Sequence, residues 1–294
     1  MPDQPMRGVF PILLTPFDEQ DRIDEDGLRS VVEYAVRSGV HGVGIALGSE
    51  MPKLVERERE LVIRIVVDQA RGRVPVVVNT GAQANYPAVV YSQQAEELGA
   101  SAVMCIPPSP ATPNETRSYF RAISDAVSVP IFVQDVATAS VSAAVIRQIA
   151  EESERVRYAK MESPPQPVKV AEAVARCQGL VTIFGGASGT FLIEELRRGS
   201  VGTMPFPTQL PAFVAVWDHF QAGDLAGARD VFDRQILPLL RVSSTGVRLG
   251  HLVHKEVLHR QGVIRCAKVR APADPLDDLT KRELDEVLER LGIG

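Results

Sequence analysis

Lysine is scarce in this chain. Only six of its 32 basic residues are lysines, at positions 53, 160, 169, 255, 268 and 281, so arginine is the default cation. Cysteine is scarcer: Cys105, Cys177 and Cys266 are odd in number and lack metal-ligand spacing, which argues against a disulfide framework and for free thiols in a reducing cytoplasm. No run approaches the ~20 apolar residues that span a bilayer. The opening Met1-Pro2-Asp3-Gln4-Pro5-Met6-Arg7 has no apolar core of the signal-peptide kind. Positive charge is not in excess either. A formal net charge of −5 removes the electrostatic reason to expect nucleic acid or an anionic membrane as partner. His251 and His254 share a predicted late helix, but no carboxylate or thiol cluster completes a zinc site, and neither metal nor cofactor is expected. Linkers, low-complexity tracts and internal repeats are absent, so the 294 residues read as one compact unit with a large core.

What the chain has is a recurring short apolar run followed by a helical pattern. Strands are predicted at 9–14, 42–47, 74–80, 102–106, 131–134, 156–163, 181–184 and 201–204. Helices are predicted from about 24 to Gly39, over 57–71, 87–98, 114–127, 142–153 and 167–177, and from near Ser188. Strands alternating with helices imply parallel pairing, and about eight units fit a closed (β/α)8 TIM barrel over 1–222. A doubly wound open sheet often carries a glycine-rich first turn, which residues 8–17 do not contain. Three further helices, at 224–240, 246–260 and 279–291, make a C-terminal three-helix extension over 223–294 within the same compact unit.

In such barrels the active site lies at the C-terminal strand ends. The residues there are Thr15, Gly48-Ser49-Glu50, Thr80, Pro107 to Ser109, Gln134-Asp135, Lys160-Met161-Glu162, Gly185-Gly186 and Met204. Lys160 stands out, because a lysine can lose its proton when partly buried and attack a carbonyl, which arginine cannot. Strand alternation puts Glu162 on the same face, as ion-pair partner or acid-base. Gly48 and Ser49 offer backbone N–H groups and a hydroxyl to a carboxylate, and Gly186 lets a ligand approach the backbone. Each also has a structural reading: a packed strand-end lysine, an ion pair, a tight turn.

With those residues in place, the sequence resembles the dihydrodipicolinate synthase / N-acetylneuraminate lyase family over essentially its whole length. The resemblance begins at Gly8-Val-Phe-Pro-Ile-Leu-Leu-Thr-Pro-Phe17 and runs through Leu47-Gly-Ser-Glu50, Pro130-Ile-Phe-Val-Gln-Asp135, Ala159-Lys-Met-Glu162 and Gly185-Gly-Ala-Ser-Gly189. It closes with Lys255-Glu-Val-Leu258 and Arg270-Ala-Pro272. It implies a (β/α)8 barrel, usually a homotetramer, with a homodimer as the smaller assembly, and a strand-six lysine that forms a Schiff base with a 2-oxo acid. Lys160 matches that lysine. The chain departs from the synthase and sialic-acid lyase branches where they carry a strand-five Tyr-Asn pair, here Gln134-Asp135. The tyrosine after strand four becomes Pro108-Ser109, and the synthase's arginine for a second carboxylate aligns with Ala139.

An amide cannot shuttle protons as a phenol does. The Gln-Asp and Lys-x-Glu motifs are similar to those of the 2-keto-3-deoxy-L-arabonate dehydratase branch. The expected reaction is dehydration of a 2-keto-3-deoxy sugar acid: Lys160 forms the imine, Glu162 assists proton transfer, and Gln134 orients a substrate hydroxyl. Gly48, Ser49, Gly186, Met204 and Ser109 bind the substrate. A pyruvate-releasing aldolase or a synthase-like enzyme is the alternative, and a 2-oxo-acid-binding barrel without turnover is the reading from another class. Pro108, Val136 and Phe206 would make the mouth more apolar than a sugar acid needs, which leaves room for an unsaturated or aromatic 2-oxo acid.

Overall fold

The computed structural model describes residues 5–246 and 249–293. Six parallel strands pair in chain order: β2 (Val43–Ile45), β3 (Val76–Asn79), β4 (Ala102–Cys105), β5 (Ile131–Asp135), β6 (Val156–Met161) and β7 (Thr182–Gly185). The remaining two, β1 (Gly8–Val9) and β8 (Gly202–Thr203), pair with each other. Backbone bonds across both seams close the ring. The Gly44 N–H donates to the Pro11 carbonyl at 2.8 Å, the Leu13 N–H to Gly44 at 2.8 Å, and the Val201 N–H to Ile183 at 2.9 Å. The fold is a (β/α)8 barrel. Its first strand is shorter than the predicted 9–14 because Pro11 has no N–H to give the ladder, although its carbonyl still accepts.

Helices α1 (Glu25–Arg37), α2 (Glu56–Ala70), α3 (Asn85–Glu97), α4 (Pro113–Ser124), α5 (Ala143–Glu152), α6 (Gln166–Arg176), α7 (Leu192–Leu196) and α8 (Leu210–Gln221) follow the strands in turn. Local chemistry starts them. Asp24 accepts the Gly27 N–H at the head of α1, and Thr112 and Glu115 form a reciprocal capping box on α4. Val31, Val32 and Ala35 form the buried stripe of α1.

Two apolar layers result. Valines and isoleucines fill the space between strands and helices. Inside the ring, Phe10, Phe132, Tyr158 and Phe184 plug the floor, with Phe132 stacked on Tyr158 at 4.4 Å between centroids. These rings fill the barrel interior, and a cavity lies above them at the C-terminal strand ends.

Beyond α8, the helix predicted at 224–240 is broken into α9 (Leu225–Val231), a π turn (Phe232–Ile236) and α10 (Leu237–Ser243). Pro238 removes one helical N–H, and the register slips just ahead of it. Then come α11 (Leu249–Arg260) and α12 (Asp278–Leu291). Residues 247 and 248, within the predicted 246–260 helix, lie outside the described residues, as do residues 1–4 of the opening segment. Leu239, Val253, Val257, Leu284 and Leu288 give these helices a core of their own. No helix among the described residues is long and apolar enough to cross a membrane.

Candidate active site

Alternation along β6 sends Tyr158 and Lys160 into the ring and Ala159 and Met161 out into the helix layer. Gln134 of β5 sits in register opposite Lys160. The Glu162 N–H donates to the Asp135 carbonyl at 2.9 Å, which extends the ladder one residue and points the Glu162 side chain back over the mouth. Its Oε1 lies 3.0 Å from Lys160 Nζ. Gln134 Nε2 donates to the other carboxylate oxygen at 2.7 Å, and Asn79 Nδ2 donates to Gln134 Oε1 at 2.9 Å. A relay of polar side chains therefore runs from β3 through β5 to a lysine that is only 3% exposed.

The loop after β7 completes the relay. The Ala187 N–H donates to Glu162 Oε1 at 3.0 Å. Ala187 and Ser188 both hold left-handed backbone, at φ +48° and +59°, a conformation costly for residues with a Cβ. Gly186 makes space here, because a Cβ on it would lie 2.3 Å from Glu162 Cγ.

Lys160, Gln134, Glu162, Gly48 and Met204 line a single cavity of 260 Å³. Ile12, Ala46, Leu47, Val136, Ala187, Ser188 and Phe206 share its walls. Other expected binding residues fall elsewhere. Ser49 donates its hydroxyl to the Leu13 carbonyl at 2.5 Å and its N–H to Ala46 at 2.9 Å, so neither group is free for a substrate carboxylate. Ser109 is exposed, with its hydroxyl donating to the Thr138 carbonyl at 2.6 Å, and is not on the cavity wall. Gly186 accommodates Glu162 rather than a ligand. Thr15 and Thr80 hydrogen-bond within the protein, and Pro108 lies off the wall.

Asp135 shares the strand-five pair with Gln134 but faces away from the cavity. There it pairs with Lys169 at 2.7 Å and accepts from Val141 and Ser163. Sequence reasoning missed Asn79 and the Ala187–Ser188 turn. A period-two reading of 76–79 puts Asn79 inward; nothing in the sequence foretold two left-handed residues in a row.

No tyrosine lines the cavity among the described residues. The Tyr158 hydroxyl accepts the Met6 N–H at the floor, 3.0 Å away, and that of Tyr119 accepts the Ala82 N–H at 3.0 Å. Burial raises both phenols above their ordinary range. Cys105 is buried, and its thiol is pushed up to about 11, which leaves it inert as a nucleophile. No group of acidic, His and Cys side chains able to hold a metal occurs among the described residues.

Behind the mouth two further carboxylates are buried. Glu50, itself left-handed at φ +58°, lies 2.5 Å from Lys255 Nζ and 3.0 Å from Lys53 Nζ. Lys255 is fully buried, donates to the Lys268 carbonyl at 2.8 Å, and stands 4.3 Å over the Phe17 ring. Desolvation drives it down to about 8, partly offset by Glu50. Glu195 of α7 packs against Gly185 with neither oxygen hydrogen-bonded, and burial together with Glu162 and Glu194 raises it to about 8.

The chain matches the model of the dihydrodipicolinate synthetase family over residues 5–291. The chain belongs to that family. Within it, similarity extends to an L-2-keto-3-deoxyarabonate dehydratase of Azospirillum brasilense, 27% identical, covering 97% of this chain and 94% of that one. A 4-hydroxy-tetrahydrodipicolinate synthase of Sorangium cellulosum is 32% identical over 99% and 98% of the two chains. The solved dihydrodipicolinate synthase of Rhodopseudomonas palustris superposes with a TM-score of 0.89, at 29% identity and 97% coverage of each chain. The family supplies a lyase or aldolase chemistry on the barrel; relatives named for two different reactions leave the substrate to the cavity itself.

Proposed function

We propose that the protein is a Schiff-base lyase that dehydrates a 4-hydroxy-2-oxo acid, the class to which 2-keto-3-deoxy sugar acids belong. The observation that carries this is the Lys160–Glu162 contact at the cavity floor with Gln134, not a phenol, as the next polar neighbour. Lys160 Nζ attacks the C2 carbonyl, and Glu162 Oε1, 3.0 Å away, exchanges protons with the amine and with the departing C2 oxygen. The iminium acidifies the C3 hydrogens. Glu162 takes one of them, and the enamine expels the C4 hydroxyl, which leaves as water with that proton. Hydrolysis of the conjugated iminium releases a 2-oxo-3-enoic acid and restores Lys160. Gln134 steers the Glu162 carboxylate, and the cavity wall at Gly48 receives the substrate's carboxylate end.

The Azospirillum relative named as a dehydratase supports this branch of the family's chemistry. Retro-aldol cleavage, the alternative, needs a base on the C4 hydroxyl, and among the described residues Glu162 is the one carboxylate on the cavity wall. The test is to incubate the protein with pyruvate, reduce with borohydride, and locate the adduct by peptide mass. Then turn over a 2-keto-3-deoxy pentonate and identify the product. No adduct on Lys160 sinks the proposal, and pyruvate plus an aldehyde as products converts it to an aldolase. The homotetramer or homodimer that the family resemblance implies is part of the same reading, and sedimentation velocity decides it.

A further inference from the structure

We infer that the substrate carries a hydrocarbon group, not a further hydroxyl, beyond C4. This rests on the Schiff-base reading above. Among the described residues, four polar side chains line the cavity: Lys160, Glu162, Gln134 and Ser188. The first three are joined to one another and are taken up by the chemistry at C2 to C4. The rest of the wall, among the described residues, is Ile12, Leu47, Val136, Met204, Phe206 and small or apolar neighbours. Phe206 is not free to turn aside. It stacks on His254 at 4.4 Å, meets His251 edge-on at 5.6 Å, and lies against Gly48 and Gly250, so α11 holds its ring in the wall. His254 is tied back in turn to Thr208 by a 2.7 Å hydrogen bond.

Away from Ser188, a hydroxyl pressed on the apolar part of this wall gives up water without gaining a partner, whereas a methyl group in its place gains by leaving water. The matched pair that separates the two is 2-keto-3-deoxypentonate and 4-hydroxy-2-oxohexanoate, because a terminal methyl of the second stands where the first has its C5 hydroxyl. An apolar pocket discriminates weakly against an isostere with one added hydroxyl, so the expected preference for the hexanoate in kcat/KM is about 10- to 100-fold. Leu47→Gln, at an exposed position, and Val136→Thr, at a partly exposed one, should each shift the ratio several-fold toward the pentonate.

The experiment measures both substrates on the full chain alongside borohydride trapping with pyruvate. Equal rates, a preference for the pentonate, or trapping on Lys160 with no turnover of the hexanoate overturns the inference while leaving Lys160 chemistry intact. Failure to trap pyruvate at Lys160 removes the reading beneath it. An adduct on Lys160 together with faster dehydration of the hexanoate supports both.

Discussion

Two buried lysine–carboxylate pairs lie at the same end of the barrel, and only one of them opens onto the cavity. Lys255 has its ammonium fully enclosed by Glu50, the Lys268 carbonyl and the face of Phe17. Lys160 meets Glu162 on one side and the cavity on the other. Burial alone would nominate Lys255 as the activated amine, since desolvation pulls it down to about 8. Access overrules that choice. An amine without room for a carbonyl carbon beside it cannot be a nucleophile, and Lys255 instead ties α11 to the loop that carries Gly48 and Ser49. Lysine–carboxylate pairing is common to both sites; free volume on one side of the nitrogen separates the reagent from the strut.

The sharpest way to break the comparison is to exchange the lysines' fates. Lys160→Arg should reduce turnover to background and abolish the borohydride adduct, because the guanidinium stays protonated. An adduct migrating to Lys255 in that variant would overturn the assignment. Glu162→Gln keeps the Gln134 and Ala187 contacts within reach but loses the exchangeable proton. Its kcat should fall about 10²- to 10⁴-fold, with the pyruvate adduct still forming in long incubations. Unchanged kcat would remove Glu162 from the chemistry.

On the strut side, Lys255→Met leaves the buried Glu50 with Lys53 as its one remaining cation among the described residues and should cost about 1–3 kcal/mol in denaturant unfolding. Adding Glu50→Gln to it should return part of that loss. If the single variant is as stable as the parent, the pair does not anchor the loop.

Glu195 provides a smaller test, a buried carboxylate that Lys160 influences without forming an ion pair with it. Its native pKa of about 8 lies above the ordinary carboxyl range, so the folded state holds a proton that the unfolded chain releases. Stability from this group is therefore full below the unfolded value near 4.5 and drains away as pH rises toward 8. Glu195→Gln should match the parent at low pH and exceed it by about 1–3 kcal/mol near pH 8, read as the gap between their thermal midpoints. A gap that widens on acidification would refute the protonated buried carboxyl.

Much of the barrel was legible beforehand, because its strands are continuous apolar runs and its helices carry period-3.6 stripes with ordinary caps. Boundaries slipped where proline interfered, at Pro11 in β1 and Pro238 in the helix predicted at 224–240. The site was legible along single strands. Period-two alternation put Lys160 and Glu162 on one face, and Gln134 can be set beside them once β5 and β6 are taken as neighbours in a parallel ring. It also left Ser49 looking like a ligand, since a serine after glycine at a strand end gives no sign of whose carbonyl takes its proton.

By itself, then, the sequence determined the layered barrel, the inward lysine and the carboxylate two residues on, because these depend on local periodicity and on which side chains can form an imine. Tertiary structure alone decided which donors were spent, which lysine had open space, and what lined the wall beyond it. Leu47, Val136, Met204 and Phe206 come from three separate strand ends, those of β2, β5 and β8, and their meeting around one cavity depends on barrel closure and on α11 pressing Phe206 into place.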